Sequence, residues 1–210
     1  MKCISLFTLI ISFLHLGPHG FAQNKLSVGV RFMPSATMFR YDTGIPIADF
    51  LKIAPHYSRI RTAQGLGLSY NPTRKLNVGC DLLFAFQGGG FEQRRTDLGY
   101  LNLPFWVGYN TAPEKKLIFT IQSGIQLSYL TQAKLSYEHG ASANITPYLR
   151  KTTMAVPFAA GFKFKLTHSY YLSTQLYLSS DLKSISKTNK EFGVYNYVFP
   201  GLRIALDHNI

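Results

Sequence analysis

The chain has 210 residues, a formal charge of +12 and only 15% charged side chains, well below the roughly 25% of an ordinary soluble domain. Two cysteines exclude a disulfide framework or a cysteine-based metal cluster, and past the N-terminus no apolar run approaches the ~18 residues of a membrane-spanning helix. The basic residues are scattered through expected loops and strand ends, with no clustered run, which argues against nucleic acid and for an anionic surface such as lipopolysaccharide or an acidic glycan.

Residues 1–22 read as a secretory signal. Lys2 supplies the positive end, Ile4 to Leu16 the apolar stretch, and Gly20 and Ala22 the small residues of a cut before Gln23. The mature chain, 23–210, reads as a single domain. It keeps one cysteine, Cys80, which falls in phase with apolar neighbours and so reads as a small hydrophobe.

From there the dominant signal is period two. Leu26, Val28, Val30 and Phe32 alternate with Lys25, Ser27, Gly29 and Arg31. Leu66, Leu68 and Tyr70 alternate with Gly65, Gly67 and Ser69. Leu76, Val78, Cys80, Leu82, Phe84 and Phe86 oppose Asn77, Gly79, Asp81, Leu83, Ala85 and Gln87. The fourth segment sets Leu101 to Tyr109 against Tyr100, Asn102, Pro104, Trp106 and Gly108. The fifth runs from Leu117 to Tyr129, with Ser123 a polar exception on its apolar face. The sixth is Val156 to Leu166 and the seventh Tyr170 to Leu178. The eighth sets Val198, Leu202, Ile204 and Leu206 outward against Gly201, Arg203, Ala205 and Asp207, with Pro200 interrupting it. Strands apolar on one face and small or polar on the other fit a membrane barrel of narrow lumen.

The connections alternate between short and long. Residues 71–74, 110–116 and 167–169 are tight, whereas the links from Met33 to about Ile60, Gln87 to about Leu98, Thr131 to about Thr153 and Ser179 to about Val194 are long. Outer-membrane barrels pair short periplasmic turns with long external loops. The expected fold is therefore all-β, an eight-stranded antiparallel up-and-down transmembrane β-barrel in the outer membrane of a Gram-negative bacterium, with both termini periplasmic. Tyr41, Tyr57, Tyr70, Tyr109 and Tyr129 fall at or beyond strand ends, where an aromatic girdle belongs.

The segment Tyr100-Leu-Asn-Leu-Pro-Phe-Trp-Val-Gly-Tyr109 resembles a strand of the PorT-like group of Bacteroidetes outer-membrane β-barrel proteins, and Lys75 to Gly90 resembles that group's strand ending in a glycine-rich loop. The resemblance implies an eight-stranded outer-membrane barrel, a link to protein secretion, and no catalytic residues.

Two constellations stand out. On the lumen face, Asp81 is expected to meet cations drawn from Arg31, Lys163, Lys165 and Arg203, because a buried carboxylate needs a partner. At the long-loop end, Arg94, Arg95, Lys134, Arg150 and Lys151, joined by Arg40, Lys52, Arg59 and Arg61, form an expected basic rim. No metal spacing and no phosphate loop occur in the sequence, and no cofactor is expected. The expected function is a barrel without catalytic activity that contacts outer-membrane lipid, lipopolysaccharide or a protein partner through its external loops, or assists secretion. Alternatives are a lipid-modifying enzyme using Glu138 and His139, a secreted lipocalin-like ligand binder with its apolar face turned inward, and a diffusion pore, which eight strands disfavour.

Overall fold

Alternating apolar and small or polar residues make these segments pair edge to edge, and the pairing closes on itself. The computed structural model describes residues 26–42, 56–91, 94–137, 140–187 and 193–210. Eight long strands form the wall: β1 (Leu26–Asp42), β2 (His56–Tyr70), β3 (Leu76–Phe91), β4 (Arg94–Asn110), β5 (Leu117–Tyr137), β7 (Thr152–Lys165), β8 (Tyr170–Asp181) and β9 (Gly193–Asn209). A short β6 (Ser142–Asn144) pairs with the end of β5, and a single 3-10 turn covers Thr146–Tyr148. Every pairing is antiparallel, each long strand pairing with the next long strand in the chain, β5 with β7 past the short β6, and β1 with β9 closes the barrel. Closure leaves no long strand with an unpaired edge.

The wall is inverted relative to a soluble protein. Val30, Phe32, Leu66, Phe84, Phe105, Val107, Ile125, Phe162 and Leu176 are all exposed on the outer surface, while Asn102, Gln126, Gln175, Asp81 and Arg203 are buried inside. Such a continuous apolar exterior is the surface that lipid covers. It is the reverse of the lipocalin-like alternative, whose apolar face would point inward.

The strands run farther than the sequence pattern indicates. Three of the expected long links are largely strand, since β1 extends to Asp42, β3 and β4 almost meet at Phe91 and Arg94, and β5 continues to Tyr137. About 10 tilted residues cross the apolar band, so 17-residue and 21-residue strands project past it at the long-loop end.

Three irregularities reset the alternation. β9 has one extra residue against both neighbours between Val198 and Gly201, spanning the cis Phe199–Pro200 bond. Val198, expected outward, is consequently lumenal and 4% exposed, and Asn196 is buried with it. β5 has an extra residue at Thr131 against β4, which turns Ala133 inward. β2 carries an extra residue against β3 between Ser58 and Ala63. There the Thr37 hydroxyl of β1 reaches β3 directly, donating to the Gly88 carbonyl at 2.6 Å and accepting from the Gly88 N–H at 3.1 Å. Gly88 has φ +148°, and a Cβ there would run into the Thr96 carbonyl, so the position demands glycine. The polar exception Ser123 donates to the Pro157 carbonyl at 3.1 Å, where the proline has no N–H to give the ladder.

Candidate functional site: the lumen and the rim

The lumen toward the short turns is an ion lattice. Arg31 Nε donates to Asp81 Oδ1 at 3.0 Å, and Arg31 Nη1 to Asp207 Oδ1 at 2.6 Å. Arg203 Nη2 donates to the other Asp81 oxygen at 2.8 Å, while its Nη1 bonds the side-chain carbonyls of Gln122 and Gln175. The Arg203 guanidinium also lies 5.5 Å from the Trp106 ring centre. Two cations and two anions thus balance, and all four side chains are at most 9% exposed.

The backbone makes room for this. Gly29 and Gly67 pair with each other across β1 and β2. A Cβ at Gly67 would occupy the space of the Arg31 guanidinium and the Asp81 carboxylate, and one at Gly29 would press on Arg31 and Asp207. The glycines of the alternating motif are therefore the counterpart of one long arginine.

Of the five residues expected in this network, Arg31, Asp81 and Arg203 are brought together. Lys163 and Lys165 form no ion pair with a carboxylate among the described residues. Lys163, on β7, lies within electrostatic reach of Asp207, Arg31 and Arg203, but its ammonium rests 4.5 Å from the ring centre of Tyr171. Lys165 lies at the short-turn end of β7, half-buried, with its backbone N–H on the Lys116 carbonyl. Asp207 completes the network. The alternation of the last strand puts it on the lumen face, and charge balance was the signal that could have joined it to Arg31.

Beyond the ions the lumen is filled mainly by apolar side chains, with one amide-held carboxylate among them: the Asn196 N–H donates to Asp181 at 3.1 Å, and the Asn196 side-chain amide donates to Gln87. Tyr177 donates to Gln126 at 3.1 Å, and above that level Met33, Leu83, Leu98, Leu130, Ala133 and Val198 pack into one cluster. Its outermost member is Ile185, 2% exposed, from the connection after β8. That connection is fastened to the one before β7: Arg150 N–H donates to the Ile185 carbonyl at 2.7 Å, and Lys187 N–H to the Tyr148 carbonyl at 3.0 Å. A void of about 20 Å³ borders Asp81, Trp106 and Arg203, room on the scale of a water molecule.

The expected rim is only partly assembled. Arg95, Lys134, Arg150 and Lys151 are exposed at the long-loop end. Arg94 opens β4 beside Arg95, and Arg40 lies near the end of β1. Arg59 and Arg61 are corrected: both pair with Asp97, reaching across β3 at the level of Gly88, so their charge is shared with a carboxylate. Tyr109 is exposed at the end of β4, as a girdle requires, whereas Tyr129, expected at a strand end, is exposed on the outer face of β5 well before that strand ends at Tyr137. Lys52, Glu138, His139 and the expected signal, residues 1–22, lie outside the described residues.

The sequence matches the family model described as outer membrane protein beta-barrel domain over residues 21–185. Among solved structures the fold is similar to Neisserial surface protein A, with a TM-score of 0.54 at 12% identity, covering 91% of this chain and 100% of that one. It is similar also to OprG from Pseudomonas aeruginosa, with a TM-score of 0.54 at 10% identity, covering 91% and 99%. No curated protein sequence matches. With an apolar exterior, a closed eight-stranded wall and this match over most of its length, the chain belongs to the outer membrane protein beta-barrel domain family and resides in the outer membrane.

Proposed function

We propose that this protein is a non-catalytic barrel whose filled lumen serves stability and whose basic external rim binds polyanionic glycan, the polysaccharide of lipopolysaccharide being the nearest source. The observation that carries the reading is the set Arg95, Lys134, Arg150 and Lys151, exposed at the end that faces outward in such barrels. Among the described residues none of the four is paired with a carboxylate. The non-catalytic part is supported by the chemistry of the lumen toward the short turns, where Arg31, Asp81, Arg203 and Asp207 are committed to one another. Long strands that carry the rim beyond the apolar band give it a rigid base.

The test is retention of the detergent-solubilised protein on immobilised heparin, used as a polyanion probe. Arg95→Glu combined with Lys134→Glu should elute at clearly lower salt, because rim charges act through a field that salt screens. The folded band on unboiled gels should be unchanged. Equal retention of the variant would overturn the rim.

The resemblance to the PorT-like group supports a second role, as an accessory in protein secretion. Its motif, Tyr100 to Tyr109, alternates between lipid face and lumen inside the wall. An accessory role would therefore be carried by the same external surface, and crosslinking from Arg95 in intact cells would show a secretion component.

A further inference from the structure

Two grooves of similar size run along the lipid face. One, of about 600 Å³, is lined mainly by β1, β2, β3 and β9 toward the short turns, and no lysine or arginine lines it. The other, of about 520 Å³, crosses β3, β4, β5 and β7 toward the long loops. Its floor is Leu101, Leu103, Leu127 and Met154, and Arg150 and Lys183 stand at its outer end. Register explains the floor: Leu103 pairs with Leu127, and Leu127 with Met154, all on the outward face.

We infer that this second groove binds a phosphorylated, multiply acylated glycolipid of the outer leaflet, its acyl chains on the leucines and its phosphate on Arg150 and Lys183. The inference rests on the outward orientation of the rim proposed above and gives it a specific lipid. Four observations carry it. The floor lies within the apolar belt, so the occupant must bring hydrocarbon. The two cations sit at its outer end, so the occupant must bring an anion at the level where the belt stops, beside the exposed ring of Tyr129. Arg150 is positioned, its Nε donating to the Ser186 carbonyl at 3.3 Å, and the backbone from which Lys183 springs is tied to β7 by the Leu182 N–H on the Met154 carbonyl at 2.7 Å. Among the described residues neither has a carboxylate partner, so each is available to phosphate. Finally, three strand spacings separate β3 from β7, a width of about 14 Å, which is broad for a two-chain phospholipid and suited to a molecule with several chains. The cation-free groove at the opposite end lacks this headgroup chemistry.

The experiment is native mass spectrometry of the full protein released from detergent micelles, with diphosphoryl lipid A as the probe at a fixed concentration. Dioleoyl phosphatidylglycerol and lipid A stripped of its phosphates are the comparators. Lipid A adducts should dominate. Arg150→Glu with Lys183→Glu should lower their occupancy by about tenfold or more, as loss of charged hydrogen bonds does. The milder Arg150→Gln with Lys183→Gln should lower it in the same direction, and unboiled gels report folding for both. Equal occupancy by phosphatidylglycerol or by dephosphorylated lipid A, or unchanged binding in both variants, would overturn the site. The Arg95 and Lys134 variant separates the two proposals. It should keep lipid A while losing heparin; a protein that never binds heparin yet takes lipid A in this manner loses the rim reading and retains the groove.

Discussion

The two halves of the lumen solve one problem, filling a narrow barrel, with different chemistry. Toward the periplasm the filling is ionic, with Arg31, Asp81, Arg203 and Asp207 bridging β1, β3 and β9 across the interior. Toward the exterior it is mainly an apolar cluster finished by Ile185, which comes from a connection and not from the wall, with one buried carboxylate, Asp181, that accepts from the Asn196 N–H and has no ion-pair partner among the described residues. The ionic half ties distant strands to one another through bonds that depend on every member. The other half is built largely of apolar contacts that can be trimmed by degrees, under a cap whose local opening is expected to leave the wall paired.

The largest expected effect separates these behaviours. Asp81 accepts from both arginines, so Asp81→Asn leaves two buried guanidinium groups facing one remaining carboxylate. Stripping one partner from a buried pair costs about 3–5 kcal/mol. Urea unfolding followed by fluorescence measures it, since Trp106 is the chain's only tryptophan and lies 8% exposed beside Arg203. A loss below about 1 kcal/mol would mean that the ions are not a lattice, and the contrast between the halves would fall.

Ile185→Ala probes the other half. Truncating a buried isoleucine costs about 2–5 kcal/mol, and here the cost should appear as local opening. Trypsin should cut the cap, which carries Arg150, Lys183 and Lys187, about 30-fold or more faster, because cleavage follows the population of the open form. The urea midpoint reported by Trp106 should move little. Global destabilisation with no gain in cleavage would show that the cap is part of the barrel's cooperative unit.

These two sites differ equally in how far the sequence exposes them. Asp81 is a lone charge on a face otherwise uncharged, and Arg31 and Arg203 lie on the lumen faces of other strands, so charge balance brings the three together, although it does not by itself set Lys163 and Lys165 aside. Ile185 sits in Ser184-Ile-Ser186 among lysines and serines, and nothing local distinguishes it from a solvated loop residue. Its burial is decided by Arg150 and Tyr148, which are remote in the chain. The lipid-facing alternation is legible because hydrocarbon and lumen demand different side chains at every second position. Past the membrane that demand ends. Ser35 and Thr37 go on pairing with Arg61 and Arg59 as strand, and a polar run of this kind does not announce one. A bulge is hidden for a different reason: one inserted residue inverts the meaning of the alternation, so Val198 reads as lipid-facing until the extra residue at Phe199–Pro200 is counted.

The smallest effect on stability falls outside both halves, on Asp97. Its side chain is 44% exposed, and those of Arg59 and Arg61 are 29% and 25% exposed. An ion pair this open contributes about 0.2–1 kcal/mol, so Asp97→Asn should leave the urea midpoint within that range. Its consequence should lie in charge. The carboxylate neutralises part of the arginine pair at the external end, and removing it returns Arg59 and Arg61 to the rim. Retention on immobilised heparin should therefore rise, the opposite of the change expected for Arg95→Glu with Lys134→Glu. The rise should shrink with added salt, since exposed charges beyond roughly 10 Å are screened at 0.1 M. A fall in retention, or a loss of several kcal/mol, would mean that Asp97 holds the bulged stretch of β2 in place, and that the external end is built, like the periplasmic half, on ion pairs that the fold requires.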